Sequence, residues 1–195
     1  SYWQWRSALN GQEEIHGTLV GPDGQAEPLL AEVGRTAKEF DEASAAFRDT
    51  RVVSPVALLN DYESRWAIEW QKHTNQWNTL DIYRDYYRVL RHMAQSVDVV
   101  SPYAPLDDYK LVLAPALNVM PDSLARHLMD YVRGGGHLVL GPRSGLKDEY
   151  NALLVERQPG LLGEALGARV VQYYALEHDI PLHPSGRAGV WAEYL

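Results

Sequence analysis

Pro121-Asp-Ser-Leu124-Ala-Arg-His-Leu128-Met-Asp-Tyr131-Val132-Arg133-Gly134-Gly-Gly136-His137-Leu-Val-Leu140 is the stretch that decides the fold. Pro121-Asp-Ser123 opens a helix, since Pro is tolerated where an amide would have no partner in any case. Leu124, Leu128 and Tyr131 or Val132 recur at three-to-four spacing, which predicts a helix to Arg133 with that face turned inward. Three glycines stop it, because Gly accepts the left-handed cap conformation. His137–Leu140 then reads as a buried strand. Helix, glycine stop and apolar strand in that order are the rhythm of a doubly wound parallel α/β sheet.

The same rhythm runs upstream. Val56-Ala-Leu-Leu-Asn60 is a short run apolar on both faces, the pattern of a strand covered on each side. It ends in Asn60-Asp61-Tyr62-Glu63-Ser64, polar residues at the carboxyl end of a strand, where open α/β sheets bind ligands. Helices are expected over 63–72 and 80–95, the second with Ile82, Tyr86, Val89, Leu90 and Met93 as one inward stripe. Val97–Ser101 and Tyr109–Ala114 read as further strands. Beyond Gly141 the pattern weakens: Gly160–Gly167 suggests a short helical turn, Ala168–Tyr174 an additional strand, and Val190–Leu195 another. The expected class is α/β, a mostly parallel doubly wound sheet.

Toward the amino terminus, Pro22-Asp-Gly24 is a turn signal. A helix starting at Pro28 follows, with Leu29, Leu30, Val33, Ala37, Phe40, Ala43 and Phe47 on one face. Asp49-Thr-Arg-Val-Val-Ser-Pro55 breaks that pattern and places a boundary near residue 50, dividing the chain into 1–50 and 51–195.

Composition removes several functions. A net charge of -8 with no basic run argues against nucleic acid, and no apolar run is long enough to span a membrane. The absence of cysteine excludes disulfides, thiolate metal sites and cysteine nucleophiles. The seven histidines show no zinc-ligand spacing, and Gly134-Gly-Gly136 precedes a strand where a phosphate loop would follow one, so neither metal nor cofactor is expected. Gly141-Pro-Arg-Ser144-Gly145 resembles a nucleophile elbow only in position; Ser144 has no evident His and acid partner, and a helix-opening turn explains it. The chain starts at Ser1 without a leader and stops at Leu195 without a terminator, so an internal stretch of a longer cytoplasmic protein is expected.

The first twenty-four residues carry the chemistry. Two tryptophans, an arginine, two glutamates and a histidine crowd a segment with no core periodicity. Flat aromatic faces stack on the apolar side of a pyranose while carboxylate and imidazole bond its hydroxyls. Taken alone, Glu13 and His16 also fit a solvated surface loop.

The order Trp3-Gln-Trp5-Arg6, then Gly11-Gln-Glu13-Glu-Ile-His16-Gly17, then Asp23-Gly24 resembles the last β/α segment of the catalytic barrel in family 42 glycoside hydrolases, the β-galactosidases. Val56–Ser64 with Trp66, Val97–Val100, Asp108–Pro115 and Tyr131–Val139 resemble the domain that follows that barrel. The resemblance implies that Trp3, Glu13 and His16 bind galactose in its first subsite, while Glu14 has no counterpart. It also implies that the parent is a retaining hydrolase of terminal β-D-galactosides. Both catalytic glutamates of such an enzyme lie on earlier barrel strands, so no residue here is assigned a catalytic role and this chain alone is expected to be inactive. Residues 51–195 are implied to be an amidotransferase-like, flavodoxin-like sandwich that serves as a trimerisation domain, so further copies of the chain in a homotrimer are the expected partners. Tyr62, Trp66, Trp70, Trp77, Tyr83, Tyr86 and Tyr87, with Arg84, Arg88 and Arg91, have the composition of a subunit interface. The competing class is a non-catalytic ligand-binding or interaction module, which predicts a concave pocket at Asn60–Ser64 and Ser101 instead.

Overall fold

A computed structural model describes residues 4–195. The chain divides between Arg51 and Val52 into two units. In the first, Val20 forms a parallel bridge with Arg6 and an antiparallel one with Ala26. Between these bridging partners, Gly24 takes φ +81° and its amide donates to the Gly21 carbonyl at 2.9 Å, the turn that Pro22-Asp-Gly24 announced. Helix α1 (Leu29–Phe47) then runs from Pro28. No α1 side chain is buried, and Phe40 and Phe47 are both exposed. The helical periodicity is real, but no residue among those described buries that face.

In the second unit, β1 (Val56–Leu59), β2 (Asp98–Val100), β3 (Leu111–Ala114) and β4 (His137–Leu140) form one sheet in the order β2-β1-β3-β4, with every pairing parallel. Between them lie α2 (Tyr62–Trp70), α3 (Thr79–Met93) and α4 (Asp122–Arg133). Side-chain alternation sends Ala57, Leu59, Val112 and Ala114 to one face, against Leu124, Leu128, Met129 and Tyr131 of α4. Val56, Leu58 and Leu113 go to the other, against Tyr83 and Leu90 of α3. Helices therefore cover both faces, as the doubly wound reading requires.

Local chemistry sets the helix ends. The Asp61 carboxylate accepts from the Ser64 amide at 2.8 Å to start α2, and Asn78 accepts from the Leu80 and Asp81 amides to start α3. At the end of α4 the Gly134 amide donates to the Asp130 carbonyl, but the left-handed residue is Gly135, at φ +96°. Gly136 is needed for space, since a Cβ there would fall 2.2 Å from the Tyr131 ring. That ring is fixed by its hydroxyl, which donates to the carbonyls of Tyr109 (3.1 Å) and His137 (3.3 Å).

Four expectations need correction. The α3 stripe is rotated: Tyr83 and Leu90 are buried while Val89 and Met93 are exposed, because aromatics occur on two adjacent faces and spacing alone does not choose between them. β4 is an edge strand, paired only with β3 among the described residues, and His137 and Val139, which alternation sends to the same face, are exposed because the helix on that side does not reach them. The strand foreseen in 168–174 lies at β5 (Gln172–Ala175) and does not extend the sheet. It pairs antiparallel with β8 (Trp191–Tyr194), apart from a small hairpin of β6 (Ile180–Pro181) and β7 (Arg187–Ala188). Lastly, no helix opens directly after Ser144. The chain turns through a short 3-10 segment at Gly160–Leu162 and α5 (Gly163–Leu166) before β5. No helix among the described residues is long and apolar enough to cross a membrane.

Candidate functional site

In the amino-terminal unit, Glu13 and His16 sit on an exposed turn-rich loop. The Glu13 carboxylate accepts from the Gln4 side-chain amide at 2.8 Å, which holds it against the start of the described chain. Gln4 adopts φ +58°, an uncommon conformation for a residue with a Cβ. No hydrogen bond or ion pair joins Glu13 to His16 among the described residues, and Trp3 lies outside them. Glu14 is exposed, in line with a surface role.

In the second unit, the carboxyl ends of β1 and β2 frame a groove of ≈ 670 Å³. Asn60, Asp61, Tyr62, Glu63, Trp66, Ser101 and Tyr103 line it. This is the pocket that the ligand-binding alternative predicts. Its rim continues into the outer face of α2, where Tyr62, Trp66 and Trp70 recur every fourth residue and are 56%, 66% and 85% exposed. Tyr62 and Trp66 rings lie 5.8 Å apart, and the Arg65 guanidinium lies 4.9 Å from the Tyr62 ring. Large aromatics exposed in sequence along one helix face form the kind of patch that marks a contact surface.

Two of the other aromatics expected at an interface are buried instead, while Tyr86 is half-buried and Tyr87 stays exposed. Trp77 is buried at 1% exposure and Tyr83 is in the core under the sheet. Trp77 packs edge-on to Trp191 at 5.7 Å, and the Arg143 guanidinium lies 4.9 Å from each of those two rings. Arg143 donates to the carbonyls of Lys72 (3.0 Å) and Gln71 (2.8 Å). Burial pulls its pKa down to about 10 despite the nearby Tyr173 and Glu193. Ser144 is structural: its hydroxyl accepts from the Leu117 amide at 3.1 Å and donates to the Gly141 carbonyl at 2.9 Å. Sequence reading passed over Arg143 and Lys147, because a basic residue in a loop is normally solvated and only the fold buries these two.

The second unit is therefore a doubly wound α/β domain with an exposed aromatic face and no nucleophile–base pair at its elbow. The profile of one family, the β-galactosidase trimerisation domain, matches residues 54–194, and the chain belongs to that family. The chain is 38% identical over 175 residues to a β-galactosidase from Halorubrum lacusprofundi, covering 90% of this chain and 25% of that protein. It is 32% identical to a Thermus β-galactosidase over 200 residues, covering 100% of this chain and 30% of the relative. The solved structure of the polyextremophilic β-galactosidase from the Antarctic haloarchaeon H. lacusprofundi superposes with a TM-score of 0.82 at 37% identity, over 99% of this chain and 29% of that one. The chain thus spans about a quarter to a third of the length of these relatives.

Proposed function

We propose that this chain is part of a retaining β-galactosidase acting on terminal β-D-galactosides, and that it supplies one side of the galactose subsite and the surface that assembles a homotrimer. Residues 1–50 would close the catalytic barrel, with Trp3 as an aromatic wall and Glu13 and His16 bonding sugar hydroxyls. Support comes from relatives named as β-galactosidases that align over 90% and 100% of the chain, the second alignment taking in the amino-terminal residues. The uncovered apolar face of α1 suits a helix whose partners belong to the rest of a barrel. For residues 51–195 the carrying observation is the exposed Tyr62–Trp66–Trp70 face in a domain of a trimerisation family. A cyclic trimer uses two different patches per subunit, so this face would meet a different surface on its neighbour.

No chemistry is assigned to the chain by itself. Retaining hydrolysis needs two carboxyl groups about 5 to 5.5 Å apart across the glycosidic oxygen, and neither catalytic glutamate is carried here. The test pairs two proteins in an aryl β-galactoside assay. The full-length parent turns over and sediments as a trimer; the isolated chain shows no turnover. A parent without galactosidase activity sinks the enzyme reading, and a monomeric parent sinks the assembly reading.

A second reading rests on the ≈ 670 Å³ groove at Asn60, Glu63 and Ser101, which is placed as a ligand-binding module would have it. A parent that lacks galactosidase activity but binds a small molecule at this groove favours that reading.

A further inference from the structure

A second cavity, of ≈ 480 Å³, opens beyond the carboxyl end of β4 and is lined by Gln71, His73, Arg143, Lys147, Asn151 and Tyr173 together with Leu146 and Leu153. Its two cations are deeply buried: Arg143 is 1% exposed and Lys147 is 4% exposed. Neither forms an ion pair among the described residues. Lys147 Nζ donates to the side-chain oxygens of Gln71 (2.6 Å) and Asn151 (2.7 Å), both neutral, and keeps a third N–H. Arg143 Nε is buried with no hydrogen-bond acceptor. Glu193, the carboxylate that acts on Arg143, is already engaged, since its Oε1 accepts from the Arg143 amide (2.7 Å), Gln158 (2.9 Å) and the Trp191 indole (3.0 Å).

Buried ammonium and guanidinium groups are costly unless paired with an opposite charge, and a buried donor without an acceptor adds its own desolvation cost. The chain bears the first cost at both Arg143 and Lys147 and the second at Arg143 Nε. Three lining residues, His73, Arg143 and Asn151, also hold φ between +63° and +67°, a conformation that side chains rarely adopt and that concentrates at functional sites. Burial and the neighbouring Arg143 both lower the pKa of Lys147, which an anion in the cavity would reverse.

We propose that this cavity is a seat for an organic monocarboxylate, bound between the free N–H of Lys147 and Nε of Arg143. Two cations against one engaged carboxylate leave a single uncompensated positive charge, which matches a monoanion. Leu146, Leu153 and Tyr173 give the apolar wall that an organic body requires and a simple inorganic ion does not.

Acetate and butyrate are the probes, titrated into the 195-residue chain against chloride at equal ionic strength, and followed by calorimetry and thermal unfolding. Both bind saturably and raise the Tm, and butyrate binds several-fold more tightly. Lys147→Met weakens binding at least tenfold. Asn151→Asp places a carboxylate beside Lys147, so that variant is more stable in chloride and no longer responds to acetate. It keeps the test decisive if the Met variant folds poorly. Sedimentation separates two sources of the carboxylate. Binding that leaves self-association unchanged identifies a free small acid. Acetate that dissociates oligomers of the wild type but not of Asn151→Asp identifies an acidic side chain of a second copy. No saturable response in the wild type, or an equal response in Asn151→Asp, overturns the proposal.

Discussion

The indole of Trp191 and the guanidinium of Arg143 lie 4.9 Å apart, and this contact ties the β5–β8 ribbon to the loop that leaves β4. The Tyr173 ring stacks on the same indole at 5.2 Å, and Trp77 meets it edge-on. Among the described residues the ribbon does not pair with the main sheet, so its place depends on this stack of cation and aromatic rings together with the Glu193 carboxylate, which accepts from the Arg143 amide.

Trp191→Ala is accordingly expected to destabilise the chain by about 3–5 kcal/mol, the range for emptying a buried large aromatic site. Urea unfolding gives the total, and amide exchange localises it. Residues 172–175 and 191–194 should lose protection well before β1 and β3. Uniform loss of protection across the sheet contradicts this assignment.

Gly136→Ala forces a methyl group into the Tyr131 ring and should cost about 1–3 kcal/mol or more. Gly17, whose Cβ would meet nothing within 4 Å, should accept Ala with little effect. Denaturant midpoints for the pair check the contrast; equal shifts mean that the Tyr131 contact does not decide the residue at 136.

Tyr83 gives a pH dependence. Burial raises its pKa from 10.0 to about 12, so the folded state holds the phenolic proton more tightly than the unfolded state. The resulting stability is fully present below pH 10 and is lost as pH climbs toward about 12. Among the described residues its hydroxyl makes no well-formed hydrogen bond, although the Asp61 backbone lies beside it, so Tyr83→Phe should leave stability at pH 7 unchanged or raised by up to about 1 kcal/mol. The same variant should flatten the fall between pH 10 and 12 by about 2–3 kcal/mol. Parallel stability curves for wild type and variant in that window count against the argument.

Exposed and buried aromatics should behave oppositely. Trp66→Ser and Trp70→Ser remove surface side chains, so monomer stability should change by no more than about 0.5 kcal/mol. If the α2 face is an assembly surface, both should weaken self-association of the full-length parent in sedimentation velocity. An unchanged trimer in the double variant places the interface elsewhere.

The amino-terminal motif is tested in the full-length parent. Glu13→Ala should lower kcat/KM by the equivalent of about 1.5–3 kcal/mol through lost bonds to sugar hydroxyls, and Glu14→Ala should do much less. Equal effects would mean that the galactose contact does not belong to Glu13.

From the sequence alone came the α/β class, the strand at Val56–Leu59, the helix ending at Arg133 and the turn at Pro22-Asp-Gly24. Each depends on short-range physics: the period of apolar residues, a cap, or a glycine that accepts positive φ. The motif around Glu13 and His16 is likewise read as residue types in order, and its sugar contacts are what the Glu13→Ala and Glu14→Ala comparison tests. What sequence could not decide was which apolar or charged residues end up covered. Trp66 and Trp77 lie on neighbouring stretches and look alike as letters, yet one is exposed and the other is fully buried. Arg143 and Lys147 look like loop cations but sit inside a cavity. Burial is set by contacts between segments distant in the chain, such as Arg143 with Gln71 and Glu193, and local periodicity carries no information about those contacts. The edge position of β4 and the separate β5–β8 ribbon were tertiary decisions for the same reason: pairing is a choice among partners, and strand propensity does not name the partner.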